Sequence, residues 1–241
     1  MSTALESGLD YIPAAGRAKL AILGLTLCGV LSFLSFVSNA WFVALLPQFD
    51  SPAALVDASL MGHVDYLNEL DESLLWAWVV VFWVTVVFYC RWLHRAYGNV
   101  VVLASRGRLG ARLRYRPSQA VWSFFIPFIN LVRPYRVVAE LWRCSGPTFE
   151  GPVFSCLVGA WWAMWLGGTM LARHTRQMVA GAGEDTERLM SAWSVAAIGQ
   201  LLMVGAAVLA IMVIREVGQR QAARADWLAA LVPGRLDPVK G

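Results

Sequence analysis

The sequence has 241 residues and a formal net charge of +4, with 58% hydrophobic and only 15% charged residues. Soluble domains carry about 25% charged residues, so this composition excludes an ordinary soluble enzyme and indicates a chain embedded in a bilayer. The basic residues cluster at the ends of apolar runs, which favours a topological role and argues against nucleic-acid binding.

The N-terminal part of the chain alternates between a polar tail, an apolar run and an acidic stretch. Residues 1–17 are predicted to form a cytoplasmic tail, and residues 20–46 a first span, because about 20 apolar residues suffice to cross a bilayer. Residues 48–72 hold six acidic residues and no Lys or Arg. This stretch predicts an extracytoplasmic loop, in which the spacing of Leu60, Val64 and Leu67 allows a short surface helix.

The second predicted span, residues 74–97, is expected to continue out of the bilayer as a polar helix. Arg91, Arg95 and Asn99 lie four residues apart and therefore share one helix face. Five arginines follow between positions 106 and 116. They are the strongest positive-inside signal in the sequence and predict a cytoplasmic loop.

Residues 117–144 predict a proline-broken helical segment that is re-entrant or interfacial. The apolar run from Val121 to Val132 has only 12 residues, and Pro127 interrupts it, because proline removes a backbone donor and clashes with the preceding turn. Beyond Asn130 the pattern becomes amphipathic. Its polar face is predicted to carry Arg133, Arg136, Glu140 and Arg143, and the other face Val132, Tyr135, Val138, Ala139 and Trp142.

Two further spans are predicted at residues 152–172 and 189–214, and they complete an all-α membrane protein with four transmembrane helices. The multi-pass domain covers residues 18–225, and residues 226–241 form a polar C-terminal tail. The basic ends place both termini in the cytoplasm. Arg173 and Arg176 then lie on the outer side, against the charge rule.

Two segments of the sequence resemble a bacterial membrane family listed as domain-of-unknown-function family 4328. The first is Trp122-Ser-Phe-Phe-Ile-Pro-Phe-Ile-Asn-Leu-Val-Arg-Pro-Tyr-Arg136, followed by Glu140-Leu-Trp142, and the second is Arg91-Trp-Leu-His-Arg-Ala-Tyr-Gly-Asn99. The resemblance covers roughly residues 20–225. It implies a multi-pass fold in the inner membrane of a bacterium and carries no assigned activity.

The polar residues near the cytoplasmic side form the candidate site. Charged side chains near hydrocarbon usually face a cavity or each other, and guanidinium groups suit phosphate oxygens. We therefore predict a site for an anionic ligand, either a lipid headgroup or a phosphorylated small molecule, built by Arg91, Arg95, Asn99, Asn130, Arg133, Arg136, Glu140 and Arg143. The structural alternative is that Glu140 pairs with Arg136, Arg91 or Arg95 to hold the broken segment, while the other arginines reach lipid phosphates.

Three classes of function follow from this pattern. The leading hypothesis is an accessory membrane protein that binds anionic lipid or another membrane subunit. The alternatives are a small transporter or channel at the broken helix, and an intramembrane enzyme acting on a phospholipid or isoprenoid phosphate, which would need Glu140 and His94 in a pocket free of ion pairs. The sequence has no catalytic motif and no short metal-binding spacing, so no cofactor and no metal site are predicted.

Overall fold

The computed structural model describes residues 11–47, 58–106, 113–146, 156–183 and 185–231. These residues form helices and connecting turns and contain no β-strand, which confirms the predicted all-α class over the described ranges. The α-helices are α1 (Ala15–Leu45), α2 (Ala58–Arg106), α3 (Pro117–Trp122), α4 (Arg133–Ser145), α5 (Cys156–Ala182) and α6 (Thr186–Leu231). A short 3₁₀ turn at Ile129–Leu131 precedes α4.

Three of the described helices are long and apolar enough to cross a membrane. They are α1, α2 and α6; α2 and α6 contain the second and last of the predicted spans, and α1 covers the first except for its final residue. Helix α5 has 27 residues, but Arg173, His174 and Arg176 in its second half shorten its apolar part. The described residues therefore form an all-α structure with three candidate membrane-spanning helices.

Helix α2 begins earlier than predicted and α6 ends later. Residues 58–72, predicted as part of an acidic loop, are the first turns of the 49-residue helix α2, because no proline separates them from the apolar run. Helix α6 continues to Leu231, through an Ala- and Arg-rich run of strong helix formers. The remaining parts of the predicted acidic loop, basic loop and two tails (48–57, 107–112, 1–10 and 232–241) lie outside the described residues.

The described residues belong to two compact units. The first unit takes its residues from Met1–Ile22, Val86–Gly159 and Ile211–Gly241. Its core joins α2, α4 and α6 through fully buried apolar side chains, among them Leu93, Val137 and Val217. A second cluster in the same unit packs Tyr11 against Leu103, Ala225 and Leu228.

The second unit takes its residues from Leu23–Thr85 and Ala160–Ala210 and packs its helices through small residues. A Cβ on Gly168 of α5 would lie 2.8 Å from the Met203 sulfur and 3.2 Å from the Gly199 carbonyl oxygen of α6. Aromatic rings fill the wider contacts, and Phe82 stacks on Trp165 with ring centroids 5.5 Å apart. Close backbone approach at small residues is the usual way in which helices associate in lipid.

Candidate functional site

The predicted polar face of α2 lies against the N-terminal segment. The Arg95 Nε and the Asn99 Nδ2 both donate to the Ile12 carbonyl, at 3.3 and 3.0 Å. One turn earlier, Arg17 donates to the Arg91 carbonyl at 3.5 Å. Asn99 is only 1% exposed, whereas Arg91 lies at the surface. This face therefore fixes residues 12–17 beside the end of α2, and Asn99 has a packing role.

Glu140 is buried and bonded to groups that the sequence did not single out. Its two carboxylate oxygens accept from the Tyr97 hydroxyl and the Arg114 backbone N–H, each at 2.5 Å. The predicted pairing with Arg136, Arg91 or Arg95 is replaced by these two bonds. The physical reason is that Glu140 lies at the edge of the arginine face, next to buried Val137 and Leu141, and is only 8% exposed.

A chain of buried hydrogen bonds joins α2, α4 and α6 in the first unit. The Gln221 amide donates to the Ala96 carbonyl at 2.9 Å and to the Ser145 hydroxyl at 3.1 Å. The Gln221 oxygen accepts from Asn99 at 3.4 Å, and Ser145 donates to the Leu141 carbonyl at 2.7 Å. Most of these polar groups find a partner inside the unit, which lowers the cost of burying them. The exception is the Asn99 Oδ1, which is buried and has no hydrogen-bond partner among the described residues.

Two arginines of α6 hold the C-terminal half of α4. Arg224 is buried and donates to the carbonyl of Gly146, the C-cap residue of α4, at 2.7 Å. A guanidinium there satisfies a terminal carbonyl and interacts favourably with the helix dipole. Arg220 lies 4.1 Å from the centre of the Trp142 ring and also bonds Glu216 at 2.8 Å. Helix α4 is thus anchored along its buried side by α2 and α6.

The proline-broken segment presents an apolar surface next to exposed arginines. Pro127 and Phe128 form a tight turn, in which the Ile129 N–H donates to the Pro127 carbonyl at 2.7 Å. Phe128 has a φ of 59° and is 88% exposed. Arg133 and Arg136 follow on the exposed side of α4, while Asn130 and Arg143 are half-buried. We name Trp122, Phe125, Ile126, Phe128, Leu131 and Val132 the apolar tip; all are exposed.

The structure therefore divides the predicted site into three parts. Arg91, Arg95 and Asn99 lie with the N-terminal segment, and Glu140 lies in the buried network. Asn130, Arg133, Arg136 and Arg143 stay on the proline-broken segment and α4, where Arg133 and Arg136 are the two exposed arginines.

Tyr97, Gln221 and Arg224 are the important residues that the sequence interpretation missed. Tyr97 shares a helix face with Leu93 and Val100, a spacing that could have marked it as buried. Gln221 and Arg224 are three residues apart in a helix-forming run, which could have predicted one shared face beyond Ile214.

Burial changes the acidity of two groups outside the candidate spans. It raises the pKa of the Cys144 thiol above its ordinary value, although the neighbouring Arg143 acts in the opposite direction. Burial also raises the pKa of the Tyr11 phenol, and the nearby Asp226 carboxylate adds to this effect. Both groups therefore remain protonated at neutral pH and pack as neutral side chains.

Over the part of the chain that the structure describes, the helices and these contacts define an all-α membrane-protein class with three candidate membrane-spanning helices and an anchored, arginine-bearing amphipathic helix. A family model described as Domain of unknown function (DUF4328) matches residues 57–219. The match covers more than half of the chain, so the chain belongs to this family, as the segments 91–99 and 122–142 predicted. No curated protein and no solved structure matches the chain.

Proposed function

We propose that the chain is a four-span protein of the bacterial inner membrane that binds anionic phosphate headgroups at Arg133 and Arg136. In this proposal it acts as an accessory membrane protein, and residues 117–145 form an interfacial element on the cytoplasmic side. The observation that carries the proposal is the two-sided character of α4. Its inner side is anchored to α2 and α6, while its outer side exposes two arginines beside the apolar tip.

The path of the chain supports a fourth span at α5. The start of α1, the end of α2 and the end of α6 meet in the first unit, through the Arg17–Arg91 and Gln221–Ala96 bonds. Helix α5 also begins there, at Cys156–Gly159. If α1, α2 and α6 each cross, α6 must start on the far side, so α5 has to carry the chain across. Four crossings return both termini to one side.

Charge distribution supports the cytoplasm as that side. Residues 20–90 contain no Lys or Arg, whereas Arg17, Lys19 and the arginines from Arg91 onwards flank this interval. Basic residues close to span ends are retained in the cytoplasm. A smaller set of arginines lies at the other ends of the last two helices: Arg173 and Arg176 in the second half of α5, and Arg188 at the start of α6.

The spacing of Arg133 and Arg136 suits phosphate oxygens. Residues three apart on a helix have Cβ atoms about 5–6 Å apart, so two guanidinium groups can reach one phosphodiester or two neighbouring headgroups. Arginine presents its donors in a planar fork that fits such oxygens. Because α4 is anchored on its other side, these arginines keep their position without a partner protein.

The double substitution Arg133→Ala and Arg136→Ala is expected to reduce retention of phosphatidylglycerol by the purified protein. Each basic residue near an anionic surface contributes about 1 kcal/mol, so the variant should bind about 30-fold more weakly at low salt. Native mass spectrometry of protein released from mixed phosphatidylcholine and phosphatidylglycerol nanodiscs measures the bound lipid.

The pair Arg173→Ala and Arg176→Ala is the matched control, because both residues are exposed and have the same spacing on α5. Unchanged lipid retention in the Arg133 and Arg136 variant, or an equal loss in the control, would contradict the proposal. Competition by inorganic phosphate distinguishes a soluble phosphorylated ligand from a lipid headgroup, and stoichiometric co-purification of a protein would favour a partner subunit.

Transport is the second candidate function, and it is favoured by a polar stripe on α1. Cys28, Ser32, Ser35 and Asn39 recur at helical spacing and are buried in the second unit. Asn39 is 3% exposed, and its buried side-chain oxygen has no hydrogen-bond partner among the described residues. An acceptor left without a donor in a span is costly, so water or a polar solute is the expected donor.

Proteoliposome swelling in glycerol tests this second function. We expect faster swelling than in protein-free liposomes if the stripe carries small polar solutes, and loss of that difference in Asn39→Leu. Equal swelling of wild-type and protein-free liposomes would reject it. No observation favours the enzyme alternative, because both carboxylate oxygens of Glu140 are already bonded and His94 is exposed.

A further inference from the structure

We infer that the apolar tip is a shallow membrane wedge, with Phe128 entering the boundary between headgroups and acyl chains. This inference rests on the proposed function, because the same leaflet supplies the headgroups for Arg133 and Arg136. It adds an interaction surface that the arginine site does not require. The occupant of that surface is the acyl-chain boundary of an anionic leaflet.

The side chains of the apolar tip are exposed. Phe128 is 88% and Trp122 64% exposed, and the other four residues of the apolar tip are exposed as well. Contiguous exposed apolar surface of this kind marks an interaction site. Tryptophan and phenylalanine beside arginine are typical of segments that lie in a membrane interface.

The backbone at Phe128 has a positive φ, which is unusual for a bulky residue. A φ of 59° is in the left-handed region, which bulky residues rarely adopt and which glycine or asparagine would accept more easily. The turn is closed by the Ile129 to Pro127 bond and by the Asn130 N–H, which donates to the Ile126 carbonyl at 2.9 Å. Such strain persists where the surroundings enforce it, and it often accompanies function. Here it directs a phenylalanine away from the protein.

The contacts of the proline-broken segment with α2 indicate its depth in the bilayer. The Phe124 ring lies 5.8 Å from the ring of Tyr89, at the point where the apolar run of α2 gives way to exposed Arg91. Phe124 therefore marks the level at which α2 leaves hydrocarbon. Helix α3 has six residues and a length of about 9 Å, whereas half of the hydrocarbon core is about 15 Å. Helix α3 alone is therefore too short to reach the bilayer centre, which favours interfacial over re-entrant insertion.

Positive charge flanks the apolar tip. Exposed Arg116 and Arg133 stand at the two ends of the segment that carries the tip. This arrangement matches an anionic leaflet, because the apolar residues face acyl chains while the guanidinium groups stay at the phosphates. A protein partner would have to match both an apolar tip and its basic margin, and the bilayer that already holds the spans provides both.

Photolabelling of the full-length protein tests the wedge. The protein is placed in nanodiscs of phosphatidylcholine and phosphatidylglycerol that contain a phospholipid with a diazirine either close to the ester carbonyl or at the acyl terminus. We expect peptides containing residues 122–132 to be labelled mainly by the shallow probe. Stronger labelling by the terminal probe would overturn shallow insertion, and labelling only by a water-soluble carbene reagent would overturn insertion altogether.

The variant Phe128→Gly separates a wedge from a structural role. Glycine accepts the left-handed backbone, so thermal stability in detergent is expected to be retained or raised, while shallow labelling at position 128 is lost. A large loss of stability would show that Phe128 packs within the protein and would overturn the inference. Headgroup retention in this variant should stay dependent on Arg133 and Arg136, so failure of the wedge and failure of the headgroup site give different results.

Discussion

Replacement of Glu140 by alanine is expected to destabilise the folded chain by about 3 kcal/mol, because it leaves two buried or partly buried donors without an acceptor. The Tyr97 hydroxyl and the Arg114 N–H each lose their bond to the carboxylate. Tyr97 is fully buried, so water cannot replace the lost acceptor without opening the contact between α2 and α4. Reversible unfolding in mixed detergent and SDS micelles measures the free energy of unfolding.

The conservative variant Glu140→Gln should cost less than alanine. Glutamine keeps one oxygen for Arg114, and its amide can donate to the Tyr97 oxygen, since a phenol both donates and accepts. Tyr97→Phe completes a double-mutant cycle. The summed costs of the two single substitutions should exceed the cost of the double variant, because the two residues share one bond. Glu69→Ala, at an exposed position of α2, is the control. A cost for Glu140→Ala no larger than that of the control would refute the role assigned to the network.

The membrane character and approximate spans could be predicted because they depend on local composition. An apolar run of sufficient length has one physical solution in lipid, whatever its neighbours do. The first, second and last predicted spans coincide with the apolar parts of helices α1, α2 and α6 for this reason, to within one residue at the end of α1. The broken character of residues 117–132 was equally local, because Pro127 alone prevents a continuous helix.

The partners of the polar residues could not be predicted in the same way. Periodicity placed Glu140 on a face with Arg133, Arg136 and Arg143, but it could not show that Tyr97 would meet that edge of the helix. Contacts between residues more than 40 positions apart depend on how the helices pack, and local periodicity does not show that packing. The sequence therefore predicted the residue types of the candidate site better than their pairings.

The boundaries of α2 and α6 were also predicted incorrectly, and the reason is again physical. The acidic residues between 58 and 72 suggested a loop and the polar residues after Ile214 suggested a tail, because charged residues were taken to mark the end of a helix. Leucine, alanine, glutamate and arginine are good helix formers in water as well as in lipid. Helices α2 and α6 therefore continue beyond their apolar parts, and this extension places Gln221 and Arg224 where they hold α4.

Substitution of Gly24 by alanine is expected to destabilise the second unit, because α1 approaches Thr85 of α2 closely at this residue. A Cβ at position 24 would lie 3.0 Å from both the Cβ and the Cγ2 of Thr85 and closer still to its Oγ1. Threonine is short and β-branched, so it cannot move aside as a long side chain could. Overpacking of this kind costs about 1–3 kcal/mol, and the same unfolding measurement should show it.

The same substitution at Gly218 should have the opposite sign. A Cβ there meets nothing within 4 Å, so alanine should only improve helix stability, by about 0.5–1 kcal/mol. The decisive variant is Gly24→Ala combined with Thr85→Gly, which restores the space on the other helix. If the close approach at Gly24 determines helix packing, the second substitution should recover part of the loss, even though Thr85→Gly alone weakens α2. A double variant whose loss equals the sum of the two single losses would show instead that Thr85 contributes through its bond to the Val81 carbonyl, at 2.7 Å, and not through the space it fills.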